Sequence, residues 1–289
     1  MLGLVFLALA PAAACLAQDT AQSVSWAYAA FFGTGRYSLD GGAETTMLSF
    51  APGHVFHQAS LSDDGERRLG IRLRVPFSFG AHELDTPASI PELRFDSVNS
   101  LSVVPGVEID VPISGLWNLK PLAYAGWGAD FGGDVSAAIF RIGVRSERRF
   151  DLESLDLSLY NGLARMGYSE RHGESSAVNF FETGLDFGRL LPRRKIGDEP
   201  VRLYWHVLYT NYFDALRLDA AGLIDNVSRG LVDVSSISSE WEIGVGFGRA
   251  GATLGIRRFR LDRVGLTYRF DSAGDFSGIG IVFKSLFAR

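Results

Sequence analysis

The stretch that decides the fold is residues 240–249, which read EWEIGVGFGR. Its apolar side chains fall on every second position: Trp241, Ile243, Val245 and Phe247. Most positions between them carry glutamate or glycine, so an extended chain has one apolar face and one acidic or bare face. Because successive side chains of a β-strand point to opposite sides of the sheet, this period predicts a strand between two different environments.

The same two-residue period recurs along the chain, for example at 71–80 and 181–188. Such strands, with little helical periodicity between them, must pair at their edges and close into a barrel or pack on a second sheet. The prediction is an all-β fold, a transmembrane antiparallel β-barrel of twelve strands. The strands are expected near 276–287, 253–270, 238–249, 202–214, 177–190, 155–169, 136–149, 118–131, 101–113, 67–79, 46–61 and 24–37.

The strand count is tested by where the long connections fall. A membrane barrel with both termini in the periplasm has an even number of strands, short turns at the periplasmic end and longer loops outside. With twelve strands, the longest connections, near 81–100 and 215–237, both lie outside. The connection from Pro192 to Pro200 is then an unusually long inner turn.

A fourteen-strand alternative arises if 46–61 is split at Pro52 and 253–270 is split at Leu261. It is disfavoured because it would move the long connections to the periplasmic side. Strict alternation in 253–270 would also place Arg258 on the lipid face, so an irregular strand is expected there.

The N-terminal segment has the pattern of an export signal. Residues 1–17 read MLGLVFLALAPAAACLA, and the first charged side chain follows at Asp19. Cleavage is expected after Ala17. Acylation of Cys15, the only cysteine, is an alternative that ranks lower because a larger aliphatic residue is missing before it. The predicted domains are a signal peptide at 1–17 and one β-barrel at 18–289.

Composition excludes several classes of protein. The formal net charge of −5 offers no basic field for nucleic acid. Beyond the N-terminal segment no run of eighteen apolar residues remains, which excludes transmembrane helices. The mean hydropathy of +0.11 fits a membrane barrel, whose lumen-facing polar residues offset its lipid-facing ones. A soluble exported barrel with its faces reversed is a further alternative.

Three segments resemble a known family: 32–37 (FGTGRY), 101–108 (LSVVPGVE) and 119–128 (LKPLAYAGWG). They are similar to the solitary outer-membrane autotransporter-like β-barrel family, whose members resemble the translocator barrel of autotransporters but lack a passenger domain. The resemblance spans most of residues 26–287. It implies a twelve-stranded barrel that the outer-membrane barrel assembly machinery inserts. Phe283 and Phe287 are expected to supply the C-terminal insertion signal.

Charged residues on the inward face are the best candidates for function. A barrel of twelve strands is too wide for side chains to fill tightly, yet narrow enough for arginine and glutamate pairs to occlude it. A neutralising network is favoured over a selective pore, because charges of mixed sign on facing walls tend to pair. The predicted lumen residues are Arg72, Arg74, Glu108, Asp110, Arg141, Arg145, Glu182, Asp186, Glu240, Glu242, Arg257 and Arg269.

Aromatic residues near predicted strand ends are expected at the membrane interface, where amphipathic rings are favoured. They are Trp26, Trp117, Trp127, Tyr168 and Tyr268.

An enzyme that acts on lipid A or phospholipid is the alternative function. His172 lies beside acidic residues and Ser175 in a predicted outer loop, but a polar loop tip explains this composition better. No histidine has the neighbours of a metal site. The spacing of Gly246, Gly248 and Gly251 matches a dinucleotide motif, but no helical pattern follows. Neither cofactor nor metal is expected.

The predicted function is therefore non-enzymatic: an integral outer-membrane barrel of a Gram-negative bacterium, structural or weakly pore-forming, without a passenger. The expected partners are outer-membrane lipid, lipopolysaccharide and the barrel assembly machinery, and the protein is expected to be monomeric.

Overall fold

The computed structural model describes residues 30–39, 44–62, 65–83, 98–131, 136–152, 155–170, 175–196, 199–218, 235–249, 254–256, 259–261 and 263–282. Most of these residues form β-strands. In chain order the strands are β1 (Thr34–Leu39), β2 (Glu44–Phe50), β3 (Gly53–His57), β4 (Ser60–Leu61), β5 (Arg67–Arg68), β6 (Gly70–Arg74), β7 (Phe77–Glu83), β8 (Val98–Val103), β9 (Gly106–Ser114), β10 (Trp117–Asp130), β11 (Ser136–Leu152), β12 (Leu155–Glu170), β13 (Ser175–Ile196), β14 (Glu199–Leu218), β15 (Ser235–Arg249), β16 (Leu254–Ile256), β17 (Phe259–Leu261), β18 (Arg263–Asp271) and β19 (Phe276–Val282).

The main sheet closes into a barrel. Antiparallel pairing runs from β1 through β2, β7, β8, β10, β11, β12, β13, β14, β15, β18 and β19, and β19 pairs back to β1. The segments β3, β6 and β9 continue the same strands as β2, β7 and β8 toward the end of the barrel with the short turns and pair with one another beside β10. The barrel therefore has twelve strands, which confirms the predicted count and rules out fourteen.

Prolines interrupt three neighbouring strands without ending them. Pro52, Pro76 and Pro105 each lie between two segments of one strand. A proline has no N–H to donate, but its carbonyl still accepts. The amides of Val75 and Val104 donate to Pro52 and Pro76, each at 2.9 Å. Because these bonds bridge the interruption, the break at Pro52 does not add a strand.

The two ends of the barrel differ in their connections. One end, here called the loop end, carries the connections 84–97 and 219–234, as the parity argument predicted. The other, the turn end, has short links such as 115–116. The predicted long inner connection from Pro192 to Pro200 is wrong, because β13 and β14 continue to Ile196 and from Glu199 as one extended hairpin.

The range predicted as one strand at 253–270 is wrong in its first half. Leu254–Ile256 pairs with Phe259–Leu261 in a small hairpin outside the main sheet. The barrel strand β18 begins only at Arg263. Because Leu254–Ile256 and Phe259–Leu261 are not part of the barrel sheet, the alternation of the barrel strand does not extend to them.

Two tyrosine rings pack against glycines on the facing strands of the barrel. A Cβ on Gly106 would lie 2.2 Å from the Tyr124 ring, and one on Gly278 would lie 2.3 Å from the Tyr37 ring. The rings occupy the space of the missing side chains on the facing strands. Glycine is therefore required at both positions by close approach.

The faces of the barrel are inverted relative to a soluble protein. Outward positions carry large apolar residues that are between 37% and 63% exposed, including Phe79, Trp127, Leu163, Trp205, Ile243, Leu266 and Ile279. Inward positions carry buried charges, among them Arg72, Glu108, Glu242 and Arg263. Such an apolar surface is stable against lipid rather than water. The fold is thus a transmembrane antiparallel β-barrel.

The described residues contain no helix that is long and apolar enough to cross a membrane.

Candidate functional site: the lumen

The lumen contains two networks of ion pairs, and both follow from the register of the strands. In the first, Arg72 on β6 lies directly opposite Glu108 on β9. Their side chains are 3.8 Å apart, and Arg74 lies 3.1 Å from the same carboxylate. Opposite charges at facing positions of an antiparallel pair attract and are shielded from bulk water here.

The first network continues across β10 and β11. Lys120 lies 3.5 Å from Asp110 and donates to Glu147 at 2.7 Å. Arg149 donates to the other oxygen of Glu147 at 2.8 Å. Glu147, which is 3% exposed, therefore has a basic partner on each oxygen.

The first network ends on β13. Arg141 donates to Oε1 of Glu182 at 2.9 Å, and the hydroxyl of Tyr160 donates to Oε2 of the same carboxylate. The guanidinium of Arg145 lies between this pair and the β6–β9 pairs, 5.8 Å from the ring centroid of Tyr160. We call these residues the first network: Arg72, Arg74, Glu108, Asp110, Lys120, Arg141, Arg145, Glu147, Arg149 and Glu182.

The second network lies on β13, β14, β15 and β18. Glu242 accepts from Nε of Arg269 at 2.5 Å, and Nε2 of His206 lies 3.0 Å from its other oxygen. Arg269 also lies 3.9 Å from Glu240. The buried Arg263 donates from Nη1 to Asp186 at 2.9 Å, and its Nη2 lies 2.9 Å from the second carboxylate oxygen. The Nη1 contact is a hydrogen bond, and the Nη2 contact adds charge attraction to the same carboxylate.

The loop-end half of the lumen contains an apolar cluster. Its buried side chains are Ala30, Phe32, Tyr37, Met47, Val104, Ala137, Ile139, Met166, Tyr168, Val178, Phe180, Tyr212, Leu216, Ile237 and Phe276. Tyr168 was predicted at the membrane interface; that prediction is wrong, because its side chain points inward and is 5% exposed. Trp117, Trp127 and Tyr268 do lie on the outer surface.

Residues 30–33, directly before β1, lie inside the barrel. Residues 30–33 are a turn rather than the strand predicted from residue 24. The carbonyl of Ala30 accepts from Ser78 Oγ at 3.1 Å, and the Phe31 ring centroid is 5.9 Å from the Arg141 guanidinium. These contacts are on β7 and β11, which are three strands apart. Residues 30–33 therefore reach across the lumen.

A histidine relay near the loop end was not predicted. Thr45 Oγ1 lies 3.1 Å from Nδ1 of His82, whose Nε2 lies 2.9 Å from Ser100 Oγ. The three residues come from β2, β7 and β8 and are all buried. The three residues are far apart in the sequence, so no local pattern predicts the relay. Each lies on an inward position once the strands are paired.

The structure describes most of the residues that the sequence singled out, but not all of them. All of the ten predicted charges from Arg72 to Glu242 point into the lumen, and Arg269 does so as well. Arg257, Trp26, His172, Phe283, Phe287 and residues 1–17 lie outside the described residues. Among described residues no group of His, Cys, Asp and Glu could hold a metal ion. Gly246 and Gly248 are inward positions of β15.

Four lumen charges were missed by the sequence analysis: Lys120, Glu147, Arg149 and Arg263. The signal was present for two of them. Glu147 and Arg149 continue the odd-numbered series of Arg141 and Arg145 on one predicted strand.

No protein-family model matches the sequence, and no curated protein is significantly similar to it. Solved structures do match. The β domain of the Bordetella autotransporter BrkA is 13% identical, with 87% of this chain and 96% of that chain covered and a TM-score of 0.53.

The translocator domain of the autotransporter NalP from Neisseria meningitidis is 11% identical, with coverage of 87% and 85% and a TM-score of 0.54. At such identities the likeness concerns the fold alone. The chain is therefore a twelve-stranded transmembrane β-barrel with the fold of an autotransporter translocator domain.

Proposed function

We propose that this protein is a non-enzymatic integral barrel of the Gram-negative outer membrane, structural or weakly pore-forming, and without a passenger. The observation that carries the proposal is the filled lumen. An apolar cluster that includes Ala30 and Phe32 fills much of the loop-end half, and two ion-paired networks fill much of the rest. Mixed charges that neutralise each other leave little open path for solutes.

Several parts of the proposal rest on the sequence. The absence of a passenger rests on the resemblance of 32–37, 101–108 and 119–128 to the passenger-less family. Export through a cleaved signal peptide rests on the pattern of residues 1–17. The proposed partners are outer-membrane lipid, lipopolysaccharide and the barrel assembly machinery, with the barrel acting as a monomer.

Conductance across a planar bilayer tests the proposed occlusion. We expect the refolded wild-type barrel to be closed most of the time, with small and infrequent openings. The double variant Phe31→Ala, Phe32→Ala should conduct more, because it removes two rings from the loop-end half of the lumen. The matched control is Phe79→Ala, which removes an exposed outward ring. A large, steady wild-type conductance that none of these changes alters would contradict the proposal.

Hydrolysis of lipid A or phospholipid is a second candidate, favoured by the relay of Thr45, His82 and Ser100. With its proton on Nδ1, His82 would accept the Ser100 proton at Nε2 as Oγ attacked an acyl carbonyl, and would return that proton to the departing alcohol. Water would then hydrolyse the acyl-serine. The third group is a threonine instead of the carboxylate that would stabilise the imidazolium.

We expect no fatty-acid release that depends on Ser100, because Ser100 and His82 are only 4% and 9% exposed. The assay incubates the barrel with phospholipid and lipid A and compares Ser100→Ala with Ser102→Ala. Ser102 is an equally buried serine two residues away on β8. Release that disappears in Ser100→Ala and persists in Ser102→Ala would replace the non-enzymatic proposal.

A further inference from the structure

The first network contains more basic than acidic groups. Six basic side chains, Arg72, Arg74, Lys120, Arg141, Arg145 and Arg149, face four acidic ones, Glu108, Asp110, Glu147 and Glu182. The group as a whole is therefore positive. The second network offsets part of this excess, because Asp186, Glu240 and Glu242 outnumber Arg263 and Arg269 there, and the remainder is available to a bound anion.

Arg145 is the cation without a carboxylate partner. Within the part of the chain that the structure describes, it forms no ion pair, and its Nε is buried without a hydrogen bond. Its described contact is with the face of the Tyr160 ring. A guanidinium has five N–H donors, so this contact leaves its hydrogen-bonding capacity unused.

The two carboxylates nearest to Arg145 are already occupied. Glu182 accepts from Arg141 on Oε1 and from Tyr160 on Oε2. Glu108 accepts from Tyr124 on Oε1 at 2.6 Å, and Arg74 lies 3.1 Å from its Oε2. Neither carboxylate can turn to Arg145 without giving up a partner. Both tyrosine hydroxyls are committed as donors as well.

Arg145 is also within reach of small ions. It stays partly exposed to the lumen, whereas Glu147 on the same strand is buried. The turn end of the barrel carries further exposed basic residues, which raise the local concentration of anions there: Arg189, Arg193, Arg194 and Lys195.

We propose that Arg145 is the binding group of a lumen site for a small oxyanion, a phosphate or a carboxylate. The planar fork of a guanidinium matches two oxygens of such an anion and gives strong charge-assisted hydrogen bonds. The site rests on the proposed barrel with its ion-paired lumen, but it requires access from only one end and no continuous pore.

Binding is measured on the refolded full-length barrel in detergent micelles. Its thermal midpoint is followed while sodium phosphate, and separately sodium acetate, replaces sodium chloride at constant ionic strength. Phosphorus NMR line broadening of inorganic phosphate gives a second readout that is independent of stability. The variants are Arg145→Met, which keeps an unbranched stem but removes the guanidinium, Arg145→Lys, which keeps the charge, and the control Arg148→Met on the outer surface.

We expect a saturable rise of the wild-type midpoint and broadening of the phosphate line, both retained in Arg148→Met. In Arg145→Met the affinity should fall about tenfold or more, the loss expected for a charge-assisted hydrogen-bonded pair. Arg145→Lys should bind with intermediate affinity. The acetate arm identifies which oxyanion the site prefers.

A purely structural Arg145 gives a different result. If it served only to balance Glu108 and Glu182, Arg145→Met would lower the midpoint in chloride alone, and phosphate would have no saturable effect on the wild type. Arg145 attracts Glu108 and Glu182 electrostatically whether or not it binds an anion, so the saturable phosphate response decides between the two roles. Failure of phosphate binding would overturn this site alone, whereas failure of the proposed occlusion would appear as a large bilayer conductance.

Discussion

Replacing Glu242 with glutamine is expected to lower the free energy of unfolding by about 3 to 5 kcal/mol, the cost of removing one member of a buried ion pair. Glu242 is 3% exposed and accepts from Arg269 at 2.5 Å. Glutamine keeps the shape but removes the charge, so Arg269 is left with only the more distant Glu240, 3.9 Å away. Denaturant titration of the barrel in lipid vesicles measures the change.

The matched control is Glu44→Gln. Glu44 forms an ion pair with Arg36, but the two side chains are 36% and 67% exposed. A solvent-exposed pair contributes only about 0 to 1 kcal/mol. Equal, small losses for the two variants would mean that water fills the lumen around Glu242, and the occluded network would then be wrong.

The strand count was predictable because its signal is local. Alternation along 240–249 or 177–190 fixes which side chains share a face, and closure requires an even number of such strands. The errors arose where that signal is absent or misleading. The sequence at 254–261 was read as part of a barrel strand, yet Leu254–Ile256 pairs with Phe259–Leu261 in a hairpin outside the barrel sheet.

The sequence predicted which charged residues face the lumen, but it did not predict which of them contact one another. Every second residue of a strand points inward, which is why Arg72, Glu108 and Glu242 could be named from the sequence. Partners follow from register, and register depends on turns and bulges that the period does not reveal. The relay from Thr45 through His82 to Ser100 joins three strands, so no local pattern contains it.

The filling of the loop-end half by residues 30–33 was missed for a related reason. Residues 24–37 carry apolar residues that suit a strand. Phe31 and Phe32 are instead held inside by Arg141 and by the aromatic rings of Tyr37 and Phe276. Those contacts exist only after the barrel has closed around them.

Replacing Val245 with arginine is expected to destabilise the barrel by about 2 to 4 kcal/mol if the residue lies near the bilayer midplane, and by less toward an interface. Val245 is 46% exposed on the outer surface. Its cross-strand neighbours, Trp205 and Leu266, are also exposed and apolar. A charge there would have to leave water for hydrocarbon without a partner.

Unfolding in lipid vesicles compares Val245→Arg with Val245→Leu, which keeps an apolar side chain at the same site and should cost well under 1.5 kcal/mol, roughly the limit for such exchanges. A substitution at the inward Gly244 is not a suitable control, because a Cβ there would lie 2.3 Å from Cε1 of His206 and would disturb its contact with Glu242. If Val245→Arg unfolds as easily as Val245→Leu, the outer surface is not in contact with lipid. Another protein would then have to cover the exposed apolar band, and the assignment of the barrel to a membrane would be wrong.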